Sequence, residues 1–262
     1  MLTQSKGFLT IWHGLKASGR PEWERWHTVE HMPERLGVPG FLIGRRYMND
    51  TSEGQCCFTL YEASDIAIFK SAPYLERLNN PSPWTAAVAK TFTNLTRGAC
   101  RRIARAGFER SYGGAMLTIR LVREPGFKEN DNTLDSLQKI ADELSKIDGV
   151  TEVNVGLSDT TITQTETKER ALRKGTGESS LDGVIAVEGY EYQLLLERAE
   201  KIRETAEGSG LYLSTEIPQV HTFRTYYSPT IDICCSCRTG HTGLSTKIST
   251  YSRTLLMNCI VN

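Results

Sequence analysis

Trp23-Glu-Arg-Trp-His-Thr-Val-Glu-His-Met-Pro-Glu-Arg35, followed by Leu36-Gly-Val-Pro-Gly-Phe-Leu-Ile-Gly-Arg-Arg-Tyr47, is the stretch from which the fold is read. It holds two of the chain's five histidines and two of its four tryptophans. At 100° per residue, Trp26, Val29, Pro33 and Leu36 share one side of a short helix. Trp23, His27, Glu30, His31 and Glu34 share the other. A solvated face usually carries Lys, Glu and Arg, so two imidazoles, an indole and two carboxylates suit a lined pocket better. Pro33 removes a backbone donor and is expected to end or kink the helix near His31. Pro39-Gly40 then turns the chain into a strand, Phe41 to Met48.

Working outward, Phe8 to His13 alternates as a strand, with Leu9, Ile11 and His13 opposite Phe8, Thr10 and Trp12. Pro21 is placed to start the helix. Asn49 to Gly54 reads as a hairpin-like turn, Gln55 to Glu62 as a strand and Asp65 to Leu78 as a helix. Pro81 and Pro83 break that helix, a short one resumes over Trp84 to Thr93, and Arg97 to Ala106 is a fourth strand, basic on one side.

Gly107 to Gly114 is a natural joint, after which the order repeats. Ala115 to Val122 is a strand. Thr133 to Ile147 is an amphipathic helix with Leu134, Leu137, Ile140, Leu144 and Ile147 on its apolar stripe. Val150 to Leu157 is a strand, and Ser158 to Ser180 is a polar, charged segment expected to be a mobile loop. Leu181 to Glu188, Tyr190 to Ala206 and Glu216 to Tyr226 supply strand, helix and strand.

Each half therefore reads strand-helix-strand-strand-helix-strand, the ferredoxin-like pattern. The expected class is α+β. Residues 1–107 form a half that carries the site, residues 108–227 form a second half, and residues 228–262 form an irregular or disordered tail. Helices cover one face of such a sheet, and two bare faces can pack together into an α/β barrel. The imidazoles are expected to face an enclosed hollow between the two sheets.

The bulk properties narrow the function classes. The chain has 262 residues and a formal net charge of zero, which points to neither a nucleic acid nor an anionic membrane. No apolar run is long enough to span a bilayer, and the first residues have no signal-peptide core, so a cytoplasmic location is the default expectation. The seven cysteines, Cys56, Cys57, Cys100, Cys234, Cys235, Cys237 and Cys259, are not spaced as a secreted disulfide framework. There is no G-x-S-x-G elbow, P-loop or G-x-G-x-x-G.

The segment Trp26-His27-x-x-Glu30-His31-Met32-Pro33-Glu34-Arg35, with Val38-Pro39-Gly40-Phe41 and Arg45-Arg46-Tyr47, resembles the first half of the dimeric α/β-barrel superfamily. The nearest named group is the EthD-like proteins, whose first helix carries a Tyr- or Trp-rich segment ending in a His-Pro region. The resemblance covers about the first hundred residues and implies a tandem barrel. That superfamily includes cofactor-free monooxygenases, lactone isomerases, polyketide cyclases and decarboxylases, and haem proteins. Fold does not select among them.

Acid–base chemistry is the first reading of the site. An imidazole takes and returns a proton near neutral pH. In this scheme His31 or His27 moves the proton, Glu30 tunes it and His13 assists. Arg45 and Arg46 point to opposite sides of their strand, so one can hold a substrate carboxylate or enolate. Trp12, Trp23 and Tyr61 wall an aromatic substrate. The expected activity is a cofactor-independent lyase or decarboxylase, isomerase or cyclase acting on a small aromatic or carbonyl-bearing molecule. No cofactor is required, and a homodimer is possible.

A second reading is metal. His27-Thr28-Val29-Glu30-His31 matches H-x-x-E-H, whose i,i+4 imidazoles share a helical face, and Glu109 lies downstream as a third carboxylate. That would make a metal-dependent hydrolase or lyase. The remaining readings are a non-catalytic small-ligand barrel and a haem barrel, for which His221 is the other candidate ligand. Cys234-x-x-Cys237 with His241 has only half of a structural zinc site.

Overall fold

A computed structural model of the chain describes residues 5–50, 54–108, 113–123 and 129–207, and the backbone of 221–227. The tail, part of the Asn49–Gly54 turn, Glu109, the start of the last strand and the Cys234–Cys237–His241 group lie outside the described residues.

The first half contains β1 (Gly7–Leu15), β2 (Phe41–Met48), β3 (Cys57–Ala63) and β4 (Phe92–Gly107). The second contains β5 (Ala115–Leu121), β6 (Val150–Ser158), a two-residue strand β7 (Ser179–Ser180), β8 (Gly183–Gly189) and β9 (His221–Tyr227). The order is β1-β3-β2-β9-β5-β8-β6-β4-β7, and β1 also pairs with β4. Eight strands therefore close into a ring, with β7 appended to β4. Within it, β4-β1-β3-β2 and β9-β5-β8-β6 have the same ferredoxin-like order. The halves join where β2 meets β9 and where the long β4 carries on from β1 to β6.

The helices lie outside the ring. In the first half these are α1 (Arg20–Trp26), α2 (Met32–Leu36), α3 (Ala72–Asn79) and α4 (Pro83–Val88). The second half has α5 (Asp131–Ser145), α6 (Thr160–Thr163), α7 (Lys168–Leu172), α8 (Tyr192–Glu197) and α9 (Ala199–Glu207). The helix expected over Asp65–Leu78 is divided. Its first part is a 3₁₀ turn over Ile66–Lys70, and Ser71 then caps α3 by accepting from the Tyr74 amide. Leu137, Ile140 and Leu144 of α5 pack with Leu117 and Val153, as their spacing requires.

Two glycines set the approach of the opening helix. Gly40 turns the chain at φ 98°, a conformation open to glycine, and a Cβ there would also meet Ile68. A Cβ on Gly44 would lie 2.6 Å from the Met32 Sδ, so its absence lets α2 settle against β2.

The bare faces meet inside the ring, and they meet tightly. Phe8, Trp12, Tyr47 and Phe58 pack there against Met116 and Val184 of the second half. Beside them, Arg45 binds Glu188 at 2.6 Å and Glu62 at 2.5 Å, and Arg102 binds Glu62 at 2.7 Å. Large side chains and ion pairs fill this interior. The expected hollow between the sheets is replaced by one between the first-half sheet and its own helices.

The segment expected to be a mobile loop is folded. Asp159 caps α6, and the Thr167 hydroxyl caps α7 by accepting from the Arg170 amide. Short capped helices of this kind draw their stability from tertiary packing. Here that packing places buried Glu169 and Arg173 against the first half.

Candidate functional site

Between α1 and α2 the backbone widens. The Met32 amide donates to the His27 carbonyl, five residues back, and His27–His31 forms a π-helical turn. Pro33 has no amide, and its ring would press on the carbonyl four residues earlier in a regular helix; the wider turn relieves that contact. The helix therefore continues through Pro33 to Leu36 instead of ending near His31. Faces also shift. Val29 is 63% exposed and Pro33 is exposed, while Trp23, Trp26, His27 and His31 are buried.

These side chains enclose a cavity of about 50 Å³ between helix and sheet. The helices supply Trp23, Trp26, His27, His31, Arg35 and Tyr74. The sheet supplies Ile11, His13, Thr59, Tyr61, Leu95 and Arg97. The second half reaches in through Glu169 and Arg173 of the ordered insert.

The aromatic rings form a continuous wall. His13 and Trp23 have ring centroids 5.0 Å apart, Trp23 and His27 4.9 Å, His27 and His31 5.5 Å, and His31 and Trp26 4.2 Å. The His13 Nδ1 donates to the Gly14 carbonyl at 3.1 Å. A carbonyl only accepts, so in the neutral ring Nε2 carries the lone pair. Burial pulls His13 down to about 4. Burial also holds His27 and His31 well below 6.5, reinforced by neighbouring positive charge, chiefly the facing His31 for His27 and Arg35 for His31. All three rings are thus neutral near pH 7.

Several buried polar atoms of this wall have no protein partner. They are Trp23 Nε1, His27 Nδ1, His31 Nδ1, Thr59 Oγ1 and Tyr61 Oη. Buried polar atoms are normally satisfied, and a cluster left open around one cavity is an arrangement for hydrogen-bonding something within it.

The structure brings His13, His27, His31, Trp23 and Tyr61 together, and leaves the other sequence candidates elsewhere. Glu30 turns away from the histidines and accepts from Trp26 Nε1, Ser82 Oγ and Thr85 Oγ1, clasping the helix to α4. Arg46 donates to the Glu24 carbonyl and the Thr28 hydroxyl and sits 5.2 Å from the Trp23 ring, bracing the wall from behind. Trp12 and Arg45 belong to the opposite face of the sheet, inside the ring. The H-x-x-E-H pattern is therefore not assembled as a ligand set, and among the described residues no three His, Cys, Asp or Glu side chains are grouped to hold a metal. This cavity does not fit a haem, since it is several-fold smaller than the ~300–1,000 Å³ of ordinary ligand pockets.

No family model and no curated protein matches the sequence. Solved structures do. The chain is similar to an anthrone oxidase-like protein at 9% identity, over 88% of this chain and 95% of that one, with a TM-score of 0.57. It is also similar to a candidate monooxygenase from Fusobacterium nucleatum subsp. nucleatum (11% identity, 87% and 95% covered, TM-score 0.51). A third is a candidate monooxygenase from Lactobacillus acidophilus (10% identity, 87% and 97% covered, TM-score 0.51). At these identities the likeness is one of fold. The fold is an α/β barrel built of two ferredoxin-like halves. Here both halves of that barrel come from one chain, so the ring closes without a second copy.

Sequence reasoning passed over Arg35, Arg97, Glu169 and Arg173. Arg97 had a signal, since it begins the strand noted as basic on one side. Glu169 and Arg173 are spaced i,i+4 behind a Thr cap, which is a helix-start pattern inside a stretch too polar to read as folded.

Proposed function

We propose that this barrel is a small-molecule enzyme that moves a proton between a compact carbonyl-bearing substrate and the neutral imidazoles of His31 or His27. The unpartnered polar atoms around one cavity carry this reading. The step is proton abstraction from a carbon acid. The C–H bond breaks, its electron pair passes into an enolate, and an imidazole nitrogen takes the proton. Tyr61 Oη, Trp23 Nε1 and Thr59 Oγ1 are donors for the developing oxyanion. A neutral, desolvated imidazole is a weak base alone, and the enolate forming beside it raises its proton affinity.

The enolate is common to the lyase, isomerase and cyclase chemistries that an EthD-like reading allows; in a decarboxylase it forms instead by C–C cleavage with release of CO2, and a protonated imidazole then delivers a proton to carbon. It also precedes oxygenation of an enolisable ketone, the type of activity suggested by the names of the anthrone oxidase-like and monooxygenase structures. No cofactor enters the scheme. The cavity admits roughly three to five water-sized groups, which favours a compact substrate over a polycyclic one.

The test is hydrogen–deuterium exchange into a panel of 2-oxo acids, 3-oxo acids and small ketones, followed by mass spectrometry. The wild-type protein is expected to accelerate exchange of at least one of them, and His31→Gln to slow it about 10²- to 10⁴-fold. No acceleration across the panel would overturn the reading.

A further inference from the structure

The charges around the cavity are unequal. Arg35, Arg97 and Arg173 line it, against one carboxylate, Glu169. That carboxylate is already shared. One of its oxygens accepts from Arg35 and the other from Arg173, the latter at 3.0 Å. Arg35 also pairs with Glu34 at 3.3 Å, and Arg173 with Glu178 at 3.6 Å. Arg97 stands apart. It is 7% exposed, its Nε has no hydrogen-bond partner, and among the described residues no carboxylate lies within 4 Å of its guanidinium.

Such a group is not placed by accident of a loose loop. The Arg97 backbone is held on both edges, opposite Ile11 of β1 and Ser180 of β7. Strand alternation turns its side chain, with Leu95, toward the cavity. A buried guanidinium with no carboxylate in contact is unfavourable, and burial pulls its pKa below the usual arginine value although Glu178 and Glu169, farther off, act the other way. The arrangement is relieved by an anion that arrives from outside. The fork geometry suits the two oxygens of a carboxylate, and the cavity size excludes all but a short one.

We infer that Arg97 is the substrate-recognition residue of this pocket and that its ligand is a compact organic carboxylate, bound through that carboxylate to the guanidinium. The inference rests on the functional reading above for the location of the site. It adds the chemical class of the ligand.

The experiment compares isosteric pairs on the intact protein, using quenching of tryptophan fluorescence and the shift in Tm as readouts. Acetate, pyruvate and acetoacetate are titrated against acetamide and acetone, with chloride and phosphate as inorganic controls. The expected result is that one or more carboxylates bind at least about ten-fold tighter than the neutral isostere and the inorganic anions. Arg97→Gln removes that preference, and Arg97→Lys retains only part of it because an ammonium lacks the fork. Equal binding of carboxylates and amides, or of carboxylates and chloride, overturns the inference, as does an Arg97→Gln protein with unchanged carboxylate affinity. Should Arg97→Gln not fold, the wild-type comparison of isosteres still decides. The two claims fail separately. Carboxylate-selective binding without proton exchange leaves Arg97 in its role and removes the enzymatic reading. Exchange of neutral ketones without carboxylate preference does the reverse.

Discussion

Glu169 of α7 accepts a hydrogen bond from Arg35 of α2, a contact between residues 134 apart in sequence. Through it the insert of the second half closes over the histidine pocket of the first.

Removing that carboxylate leaves two buried guanidiniums with only their longer contacts, Arg35 to Glu34 at 3.3 Å and Arg173 to Glu178 at 3.6 Å. Glu169→Ala is therefore expected to destabilise the protein by roughly 3–5 kcal/mol, the range found when one partner of a buried pair is deleted. Chemical denaturation measures it. A loss within experimental error would mean that α7 is not anchored to the first half through this carboxylate. The Arg35 and Arg173 charges hold Glu169 below 4.5 against its burial, so its share of stability is present above that pH and lost as acid protonates it.

The histidines act in a higher window. In the unfolded chain each imidazole titrates near 6.5, while in the fold His13 titrates at about 4 and His27 and His31 lie well below 6.5. The unfolded state thus binds more protons between these values, and stability falls as pH drops below about 6.5. The His13 part is on the order of 3 kcal/mol between pH 6.5 and 4. Denaturation curves at pH 7.5, 6 and 5 check the slope, and His13→Phe should flatten it by about one proton. A flat wild-type profile would show that the rings are not buried in the neutral form.

How much of this was legible in the sequence depended on the kind of signal. The ferredoxin-like order of both halves came from strand alternation and from the α5 stripe, which are local. The inward turn of Trp23, His27 and His31 came from the unusual chemistry of one helix face. The α1–α2 register did not, because a wide turn before Pro33 breaks the 100° spacing and brings Val29 to the surface. Glu30 reads as a partner for the histidines only until Ser82 and Thr85 are placed beside it, and no periodicity reports a contact more than 50 residues away. Arg45 and Arg46 were known to face opposite ways. Which of them met the pocket depended on where Glu62 and Glu188 lay, and in the event the pocket's open guanidinium is Arg97, on another strand.

Trp12 and Arg45, inside the ring, are expected to matter for stability and not for ligand. The Trp12 Nε1 donates to Thr118 Oγ1 across the halves at 3.2 Å, and Trp12→Phe should lose about 1–2 kcal/mol. Arg45→Met leaves buried Glu188 without its cation and should lose roughly 3–5 kcal/mol. Dissociation constants for the best carboxylate, measured on the folded fraction of each variant, should match the wild type. A tenfold weakening by Trp12→Phe would place the ligand inside the ring.

Glu30→Gln separates clasp from catalyst. The amide still accepts from Trp26, so stability should fall by about 1 kcal/mol or less, while Glu30→Ala leaves Thr85, Ser82 and the indole less satisfied and should lose about 1–3 kcal/mol. Neither should alter the pH profile of proton exchange. A displaced profile in Glu30→Gln would return Glu30 to the proton-transfer scheme.

In the proposed step His27 and His31 divide two roles: one ring takes the proton while the other holds the substrate. Their ring centroids are 5.5 Å apart and each bears an Nδ1 without a protein partner, which puts both within reach of one small ligand. Groups that act on one transition state give non-additive losses. His31→Gln and His27→Gln should each slow exchange, the base by about 10²- to 10⁴-fold, and the double variant should be little slower than the worse single one. The two singles divide by parameter: loss of the base lowers kcat, whereas loss of the holding ring raises KM as well. Fully multiplicative losses would indicate two independent contributions, and proton transfer between one imidazole and a substrate held by the other would then be the wrong description of the pair.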